Sequence, residues 1–291
     1  MAQISFAMKP ILVLMLLAVV GLFASGACAQ ELPATGPWRH SIVGGLALAQ
    51  IVYKDWAKGG EDALAWTSTL DGKSVNDLPR TNWSNTYKLA FGQTKLGKGD
   101  IRKTDDKIDL ETLLTYKIGI HVNPYAAATM KTQFAKGYEY DEAGEEIAVS
   151  KFFDPAYLTQ SAGLGYQPVP QIRTRLGAAI REIITSEFNS YSDDPDTDEI
   201  EKIKVDGGLE SVTDLEWHLK ENLLFMSRLE LFAVLTEPRD LAIRNDNTLA
   251  IKVSKNISVN LNVLVVKDKT LSEKTQIKET LTLVLSYIFV E

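Results

Sequence analysis

The stretch NISVNLNVLVV, residues 256–266, alternates between apolar and polar side chains. Successive side chains of a strand point to opposite faces, so this pattern predicts a β-strand with one apolar and one polar face. The apolar face would contact a second sheet in a soluble sandwich. In an outer-membrane barrel it would contact lipid, and the polar face would line the lumen. The residues of the apolar face are Ile257, Val259, Leu261, Val263 and Val265.

The same period of two recurs along the chain and predicts twelve strands, an even number. Most of them have about the 9–11 residues that a tilted strand needs to cross a bilayer. A helix would instead need apolar residues at intervals of three and four, which these segments lack. The predicted strands are 42–52, 61–71, 82–93, 105–118, 123–136, 155–167, 171–182, 206–220, 223–235, 244–254, 257–267 and 275–290.

The connections between the predicted strands fall into two sets. One set is long and polar: 53–60, 94–104, 137–154, 183–205, 236–243 and 268–274. The other is mostly very short: 119–122, 168–170, 221–222 and 255–256, with 72–81 as the exception. Outer-membrane barrels have long outer loops and tight periplasmic turns. The sequence therefore predicts an all-β, antiparallel, up-and-down transmembrane β-barrel.

The N-terminal segment, residues 1–29, predicts a cleaved signal peptide. Lys9 precedes a short apolar run, and Ala27-Cys28-Ala29 is an A-x-A cleavage site. Acylation of Cys28 is the weaker alternative, because Ser25 stands where a large aliphatic residue is expected. A short lead-in, 30–37, would then precede a barrel domain at 38–291.

Composition excludes several classes of protein. Cys28 is the only cysteine, so the mature chain would have neither a disulfide nor a cysteine metal site. Loss of Lys9 with the signal peptide would change the net charge from -7 to -8. An acidic chain is a poor partner for nucleic acid or anionic surfaces.

Four segments resemble the family known as domain of unknown function 3078, a group of exported bacterial proteins. Its pattern is matched by Trp56 with Gly59-Gly60, the box Arg102–Asp106, Lys131–Phe134 and Pro155–Tyr157. The resemblance runs from about residue 38 to about residue 167 and implies an outer-membrane barrel without an established activity. The stretch IRTRLGAAIREII, residues 172–184, departs from the family pattern, which puts the seventh predicted strand in doubt.

The sequence predicts no catalytic residues, no metal site and no cofactor. A hydrolase needs a nucleophile beside a base, and His40, His121 and His218 are the only histidines. The acidic stretch SDDPDTDEIE, residues 192–201, resembles the start of a calcium loop, but Glu199 stands where glycine is required. We expect a solvated acidic loop there.

Charged residues on the polar faces of the predicted strands indicate a cluster in the lumen. Arg or Lys facing lipid near the midplane would cost roughly 2–4 kcal/mol, so the charged faces must point inward. Hairpin geometry predicts that Glu216 lies between Arg175 and Arg228. The cluster would either only satisfy buried charges or select solutes by charge at a constriction. The candidate residues are Arg173, Arg175, Glu216, His218, Arg228 and Glu230.

A second candidate site is the outer-rim box of Arg102, Asp105 and Asp106, where the predicted loop 94–104 enters the fourth strand. We expect Arg102 to pair with an acidic residue and fold this loop over the barrel mouth. Arg102→Ala would then leave folding nearly intact and expose the loop to protease. The alternative is a solvated strand start, since an exposed ion pair contributes only about 0–1 kcal/mol.

Three functions remain open from the sequence. The first is a non-enzymatic outer-membrane barrel, either a narrow pore or a plugged barrel for an unknown small solute. The second is a structural or interaction barrel that binds a surface partner through its long outer loops. The third is a soluble exported barrel for a lipid-like ligand. The first two have membrane lipid and, during biogenesis, the barrel-insertion machinery as partners.

The first prediction concerns location. We expect cell fractionation to place the mature chain in the outer membrane, with heat-modifiable migration on gels, because the signal peptide and alternating strands agree. Recovery from the soluble periplasm without detergent would contradict this location.

Overall fold

The structure is a computed structural model that describes residues 38–53, 60–141, 145–194, 197–236, 240–272 and 274–290. The predicted signal peptide 1–29 and lead-in 30–37 lie outside these residues, as do Trp56 and Gly59 of the family pattern. Within them, no helix is long and apolar enough to span a membrane.

Twelve of the fourteen strands described form one closed barrel, in which every neighbouring pair is antiparallel. The all-β, up-and-down fold class with twelve strands is thus confirmed. The barrel strands are β1 (Trp38–Ile51), β2 (Ala63–Asp77), β3 (Thr81–Leu96), β4 (Ile101–Tyr116), β5 (Val122–Thr132), β8 (Ala156–Val169), β9 (Ile172–Ile184), β10 (Ile203–Lys220), β11 (Leu223–Val234), β12 (Leu241–Lys252), β13 (Ile257–Lys267) and β14 (Gln276–Val290).

The two ends of the barrel differ in the length of their connections. At the turn end, the strands are joined by 78–80, 117–121, 170–171, 221–222 and 253–256. At the loop end, they are joined by 52–62, 97–100, 133–155, 185–202, 235–240 and 268–275. The turn-end connections all have two to five residues, so the long connection predicted at 72–81 is wrong. The predicted loop 94–104 is also wrong, because β3 and β4 extend to a turn of four residues.

The connection 133–155 contains a hairpin that the alternation of the sequence did not predict. Its strands are β6 (Gly137–Tyr140) and β7 (Glu146–Ser150), which pair with each other outside the barrel sheet. β5 ends at Thr132, before the predicted end at 136. Runs of four or five residues are too short to cross a barrel wall, so alternation alone did not distinguish them from loop. A short 3-10 helix, Asn189–Tyr191, lies in the connection 185–202.

The stretch 172–184, whose departure from the family pattern left its strand in doubt, forms the regular strand β9. Ile172–Ile184 pairs with β8 on one side and β10 on the other. Its buried residues alternate with exposed ones, which is the pattern of a strand with one covered face.

A contact across the barrel identifies the lumen side of the wall. Lys278 on β14 donates to Asp105 on β4 at 2.8 Å, although three strands separate β4 from β14 around the ring. The even-numbered side chains of β14, including Lys278, therefore face the lumen. The odd-numbered ones face outward, and Leu281 among them is 71 % exposed. Leu261 pairs with Leu281, and Asn260 pairs with Thr282. The apolar face of the stretch 256–266 therefore points out of the barrel.

Polar residues on the outward face contact one another. Ser227 on β11 donates to the Asn247 side-chain oxygen at 2.7 Å, and the Asn247 amide donates to Asn245. Mutual hydrogen bonding reduces the cost of removing these groups from water.

Aromatic side chains are concentrated on the outward face near the turn end. Trp83 donates its indole N–H to Thr112 at 2.8 Å, and Trp38 packs edge-on against it with ring centroids 5.4 Å apart. Such rings, apolar with one polar atom, are typical of a membrane–water interface. Other exposed aromatic residues at this end are Tyr116, Tyr166, Trp217 and Tyr287.

The second prediction concerns the two faces of β13. Leu261→Arg should lower the free energy of unfolding by about 2–4 kcal/mol, because it places a cation near mid-strand on the outward face. Asn260→Arg is the matched control, since its side chain faces the lumen, and it should cost much less. Urea unfolding in lipid vesicles measures both. Equal effects, or the reverse order, would mean that lipid does not contact this face.

Candidate functional site

Glu111 lies at the centre of a charge cluster that crosses the lumen. Arg175 on β9 donates to the Glu111 carboxylate at 2.7 Å, and Arg228 on β11 donates to the same oxygen. Four strands lie between β4 and β11 around the ring, so the Glu111–Arg228 contact joins distant walls of the barrel.

The cluster continues along the inner wall as a column. Arg228 also donates to Glu230 at 2.8 Å and to Asp214 at 3.1 Å. Lys131 on β5 pairs with Glu230 across the lumen. Glu210 accepts from Ser161 at 2.6 Å and lies 3.9 Å from Arg175. We call this set the lumen charge column: Glu111, Lys131, Arg175, Glu210, Asp214, Arg228 and Glu230.

Three of the six predicted cluster residues, Arg175, Arg228 and Glu230, come together in this column. The predicted arginine–glutamate–arginine arrangement is present, but Glu111 occupies the position predicted for Glu216. Arg175 pairs in register with Val212, whereas the backbone N–H of Glu216 bonds to Gln171 at the turn end. The predicted proximity of Arg175 and Glu216 is therefore wrong.

The remaining predicted residues, Arg173, Glu216 and His218, are exposed and lie toward the turn end. Arg173 faces Asp214 across the β9–β10 ladder. His218 lines a cavity of about 320 Å³ at this end, together with residues of the connections 221–222 and 253–256.

Glu111 and its partners are removed from water. The side chains of Arg175 and Glu111 are only 6 % and 11 % exposed. Removing one member of a buried ion pair leaves an uncompensated charge and typically costs about 3–5 kcal/mol. Members of the column must therefore be replaced in oppositely charged pairs if the fold is to be kept.

The wall opposite the column carries charged side chains toward the turn end and small side chains toward the loop end. Asp71 and Lys73 on β2 face the lumen and are exposed, so water reaches this part of the interior. Large paired charges thus occupy the side of the lumen near β9–β11, and water reaches the charged residues of β2 on the other side. Small uncharged inward residues near the loop end of this wall are Ala47, Ala49, Ala65, Thr67, Thr280 and Thr282.

At the loop end, cross-lumen contacts hold the mouth. Lys278 and Asp105 form one ion pair. Arg181 on β9 lies 3.0 Å from Asp268, 3.6 Å from Asp206 and 4.4 Å from the centroid of the Phe232 ring. These contacts connect strands on different sides of the opening.

The outer-rim box lies within β4 instead of in a loop. The register of β3 and β4 shifts by one residue at Gly92/Gln93, so that Thr104 is passed over in the pairing. This bulge places Lys103 and Asp106 on the same side of the strand, where they bond at 2.7 Å. Asp106 is thereby separated from Asp105, which faces the lumen.

Asp106 holds the start of the connection 133–155, which we call the hairpin segment. Its side chain, only 4 % exposed, accepts the backbone N–H groups of Phe134 at 2.7 Å and Ala135 at 2.9 Å. The guanidinium of Arg102 lies 4.0 Å from the centroid of the Tyr140 ring, instead of beside the predicted acidic residue. The box therefore contacts the segment 133–155 rather than 94–104. A cavity of about 250 Å³ between the two is lined by Lys103, Thr104, Asp105, Asp106, Gln133, Ser150 and Lys278.

Asp154 joins the hairpin segment to the connection 185–202. Its side chain is 1 % exposed and accepts from the Ser186 hydroxyl at 2.7 Å, the Ser186 N–H at 3.0 Å and the Glu187 N–H at 2.8 Å. Burial by itself would raise the pKa of Asp154, but these hydrogen bonds to the charged form hold the pKa below its ordinary value.

The described residues contain no group of three or more side chains arranged to hold a metal ion. Asp196 of the acidic stretch lies outside them, and Glu201 accepts from the Asp194 N–H at 3.0 Å. His40 lies 2.8 Å from the Ser74 hydroxyl, but Ser74 is buried and also bonds Tyr87. A covered hydroxyl of this kind is a poor nucleophile for an external substrate.

Residues 48–138 match a family described as "Protein of unknown function (DUF3078)", which confirms the resemblance indicated by the sequence. The matched segment includes the outer-rim box and the first residues of the hairpin segment that it holds. No curated protein matches the chain.

Solved structures similar to the chain include the translocator domain of the autotransporter NalP from Neisseria meningitidis. It is 11 % identical with a TM-score of 0.39, over 93 % of this chain and 95 % of that one. An outer membrane channel from Pseudomonas putida F1 is 12 % identical with a TM-score of 0.40, over 90 % and 98 %. The outer membrane channel DcaP of Acinetobacter baumannii is 8 % identical with a TM-score of 0.32, over 86 % and 96 %.

The third prediction concerns the pH dependence of the Asp154 contact. Because the pKa of Asp154 is lowered in the folded chain, its stabilisation is complete above the ordinary carboxyl pKa of 3.8 and is lost as the pH falls below it. Pepsin should therefore cleave 133–155 and 185–202 faster as the pH falls below 3.8. Asp154→Asn should already expose both segments to trypsin or subtilisin at pH 7, with the barrel still folded. Asp100→Asn, in the exposed 97–100 turn, is the control. Equal cleavage of both variants would show that Asp154 does not hold these loops.

Proposed function

We propose that this chain is a non-enzymatic barrel of the outer membrane that provides a narrow passage for small solutes. The observation that carries this proposal is that apolar and charged side chains lie on opposite faces of the barrel wall. Apolar residues such as Leu281 face outward and are exposed, while charged residues such as Arg228 face inward and are paired. Membrane lipid is then the partner of the outer wall, and the barrel-insertion machinery is its partner during biogenesis.

The energetics of the two faces argue against a soluble barrel for a lipid-like ligand. Such a barrel would need an apolar lumen and a charged exterior, and the faces of this barrel have the opposite arrangement. Water would have to cover the apolar outer surface at a cost of about 25 cal/mol for each Å². Lipid removes that cost.

The passage is expected to run beside the lumen charge column. A barrel of about 8 strands is filled by its own side chains, and 16–18 strands leave an aqueous channel. With twelve strands, side-chain size decides how much space remains. The column occupies the side near β9–β11, and the exposed Asp71 and Lys73 lie on the other side of the lumen. Paired charges of both signs favour a constriction that acts mainly by size.

A second candidate is an interaction barrel that binds a partner through its loop end. Tyr138, Ile147 and Phe152 of the hairpin segment are exposed. Asp106 and Asp154 hold this segment at two places, so its surface is pre-organised for binding. This candidate does not require an open lumen.

The fourth prediction tests the passage. The paired replacement Glu111→Ala with Arg228→Ala removes two large side chains of opposite charge, so the net charge of the column is unchanged. Arg175 keeps Glu210 at 3.9 Å, Glu230 keeps Lys131, and Asp214 is partly exposed to water. It should raise the single-channel conductance of the refolded mature chain in planar bilayers, because the constriction widens. Leu229→Ala, on the outward face of the same strand, is the control and should leave the conductance unchanged.

Folding of each variant is checked by heat-modifiable migration. If the folded wild-type chain conducts no current and neither variant changes this, the passage proposal fails. The interaction barrel then becomes the better proposal. Removal of 137–150 should in that case abolish partner binding while the barrel stays folded.

A further inference from the structure

The seam at which the barrel closes is only partly paired. β1 and β14 pair from Ile42 with Val290 to Ala47 with Val284, and the ladder then stops. The same register would continue with Leu48 beside Leu283 and end with Ile51 beside Thr280.

At the same level of the barrel, the other edge of each of these two strands remains paired. β1 pairs with β2 as far as Ile51, and β14 pairs with β13 as far as Gln276. The missing pairing is therefore confined to the edge between β1 and β14, in the half of the seam nearest the loop end. Among the strand pairs described for the barrel, this ladder is the shortest.

An open strand edge is costly in the setting that we propose for this barrel. Lipid offers no hydrogen bonds to unpaired backbone N–H and C=O groups, and each such group costs several kcal/mol in hydrocarbon. Closed barrels avoid this cost by pairing every edge. Unpaired groups at this seam can be satisfied only by water reaching them from the lumen, so the lumen and the membrane meet at the seam.

The side chains on the two sides of the opening suit a neutral, apolar molecule. On the outer side, the edges of the opening carry Leu48, Gln50, Leu281 and Leu283, and Glu279 is the next outward residue on β14. On the inner side they carry Ala49, Ile51, Thr280 and Thr282, which are uncharged. Between 48–51 and 280–283 a molecule passing from the lumen to lipid would meet no charged side chain, and the nearest outward charge on β14 is Glu279.

One ion pair links the unpaired part of β14 to β4, which lies beyond three intervening strands around the mouth. Lys278 belongs to the part of β14 that has no β1 partner, and it donates to Asp105 on β4 at 2.8 Å. This contact holds the free edge of β14 toward the lumen. The ammonium group of Lys278 is thereby paired with Asp105 on β4.

We propose that the unpaired half of the β1–β14 seam is a lateral portal. A small uncharged apolar molecule enters the lumen at the loop end and leaves between 48–51 and 280–283 into the surrounding membrane. Charged solutes are not released there, because the portal lacks groups to replace their hydration. The portal rests on the proposed function in one respect, namely that lipid contacts the outer wall.

A disulfide lock across the seam tests the portal. Ala49→Cys and Thr282→Cys introduce facing thiols on the inner edges of the opening, and Cys28 is the only native cysteine. The matched control is Ala65→Cys with Thr94→Cys, an inward pair on the fully paired β2–β3 wall. Each chain is expressed in cells whose outer leaflet is lipopolysaccharide, which apolar molecules cross slowly. The probe is N-phenyl-1-naphthylamine, whose fluorescence rises when it reaches lipid.

We expect oxidation to lower the protein-dependent rate of probe entry at least tenfold in the seam pair. Reduction should restore the rate, and the control pair should be unaffected. An unchanged rate in the oxidised seam pair overturns the portal, and so does the absence of protein-dependent entry in the unlocked chain. If the variant with Ala49→Cys and Thr282→Cys does not fold, Gln50→Cys with Leu281→Cys provides a disulfide one residue further along the seam.

Arabinose entry into liposomes, measured by swelling, separates the portal from the proposed passage. Arabinose entry that persists in the locked chain while probe entry is lost supports both proposals. Arabinose exclusion by the unlocked chain counts against the aqueous passage, and the probe result alone then decides the portal.

Discussion

The pairing of backbone N–H and C=O groups between neighbouring strands is the interaction on which the rest of this structure depends. Within a bilayer, only a sheet that closes on itself satisfies these groups on every strand. Closure fixes which side chains point inward, because a slip of one residue would exchange the two faces. The outward position of Leu261 and the inward position of Asn260 follow from one choice of register.

Departures from this pairing occur where the barrel has additional contacts. The bulge at Thr104 places Lys103 and Asp106 on one side of β4, from which Asp106 holds the backbone at 134–135. The unpaired half of the β1–β14 seam lies next to uncharged inward side chains, and near it the Lys278–Asp105 pair joins β14 to β4 at the mouth. Both departures lie near the loop end.

The charged interior follows from the same alternation. Its paired charges are distributed unevenly around the barrel wall. Glu111 receives two arginines from strands far around the ring, and Glu230 receives Lys131 from across the lumen. Oppositely charged groups in contact reduce each other's cost of leaving water. The column therefore lies along one wall, and the exposed Asp71 and Lys73 lie across the lumen from it on β2.

The sequence by itself determined the number of barrel strands, their antiparallel order and the face that most barrel side chains occupy. These follow from a local period of two and from short connections. Sequence also identified Arg175, Arg228 and Glu230 as lumen residues. Only the tertiary structure decided that Glu111 joins the two arginines, that the outer-rim box holds the hairpin segment, and that the closing seam is half open. Those features depend on which distant strands face each other across the lumen and on single-residue shifts of register. Alternation along one strand reports the direction of a side chain, but it contains no information about what that side chain meets on the opposite wall.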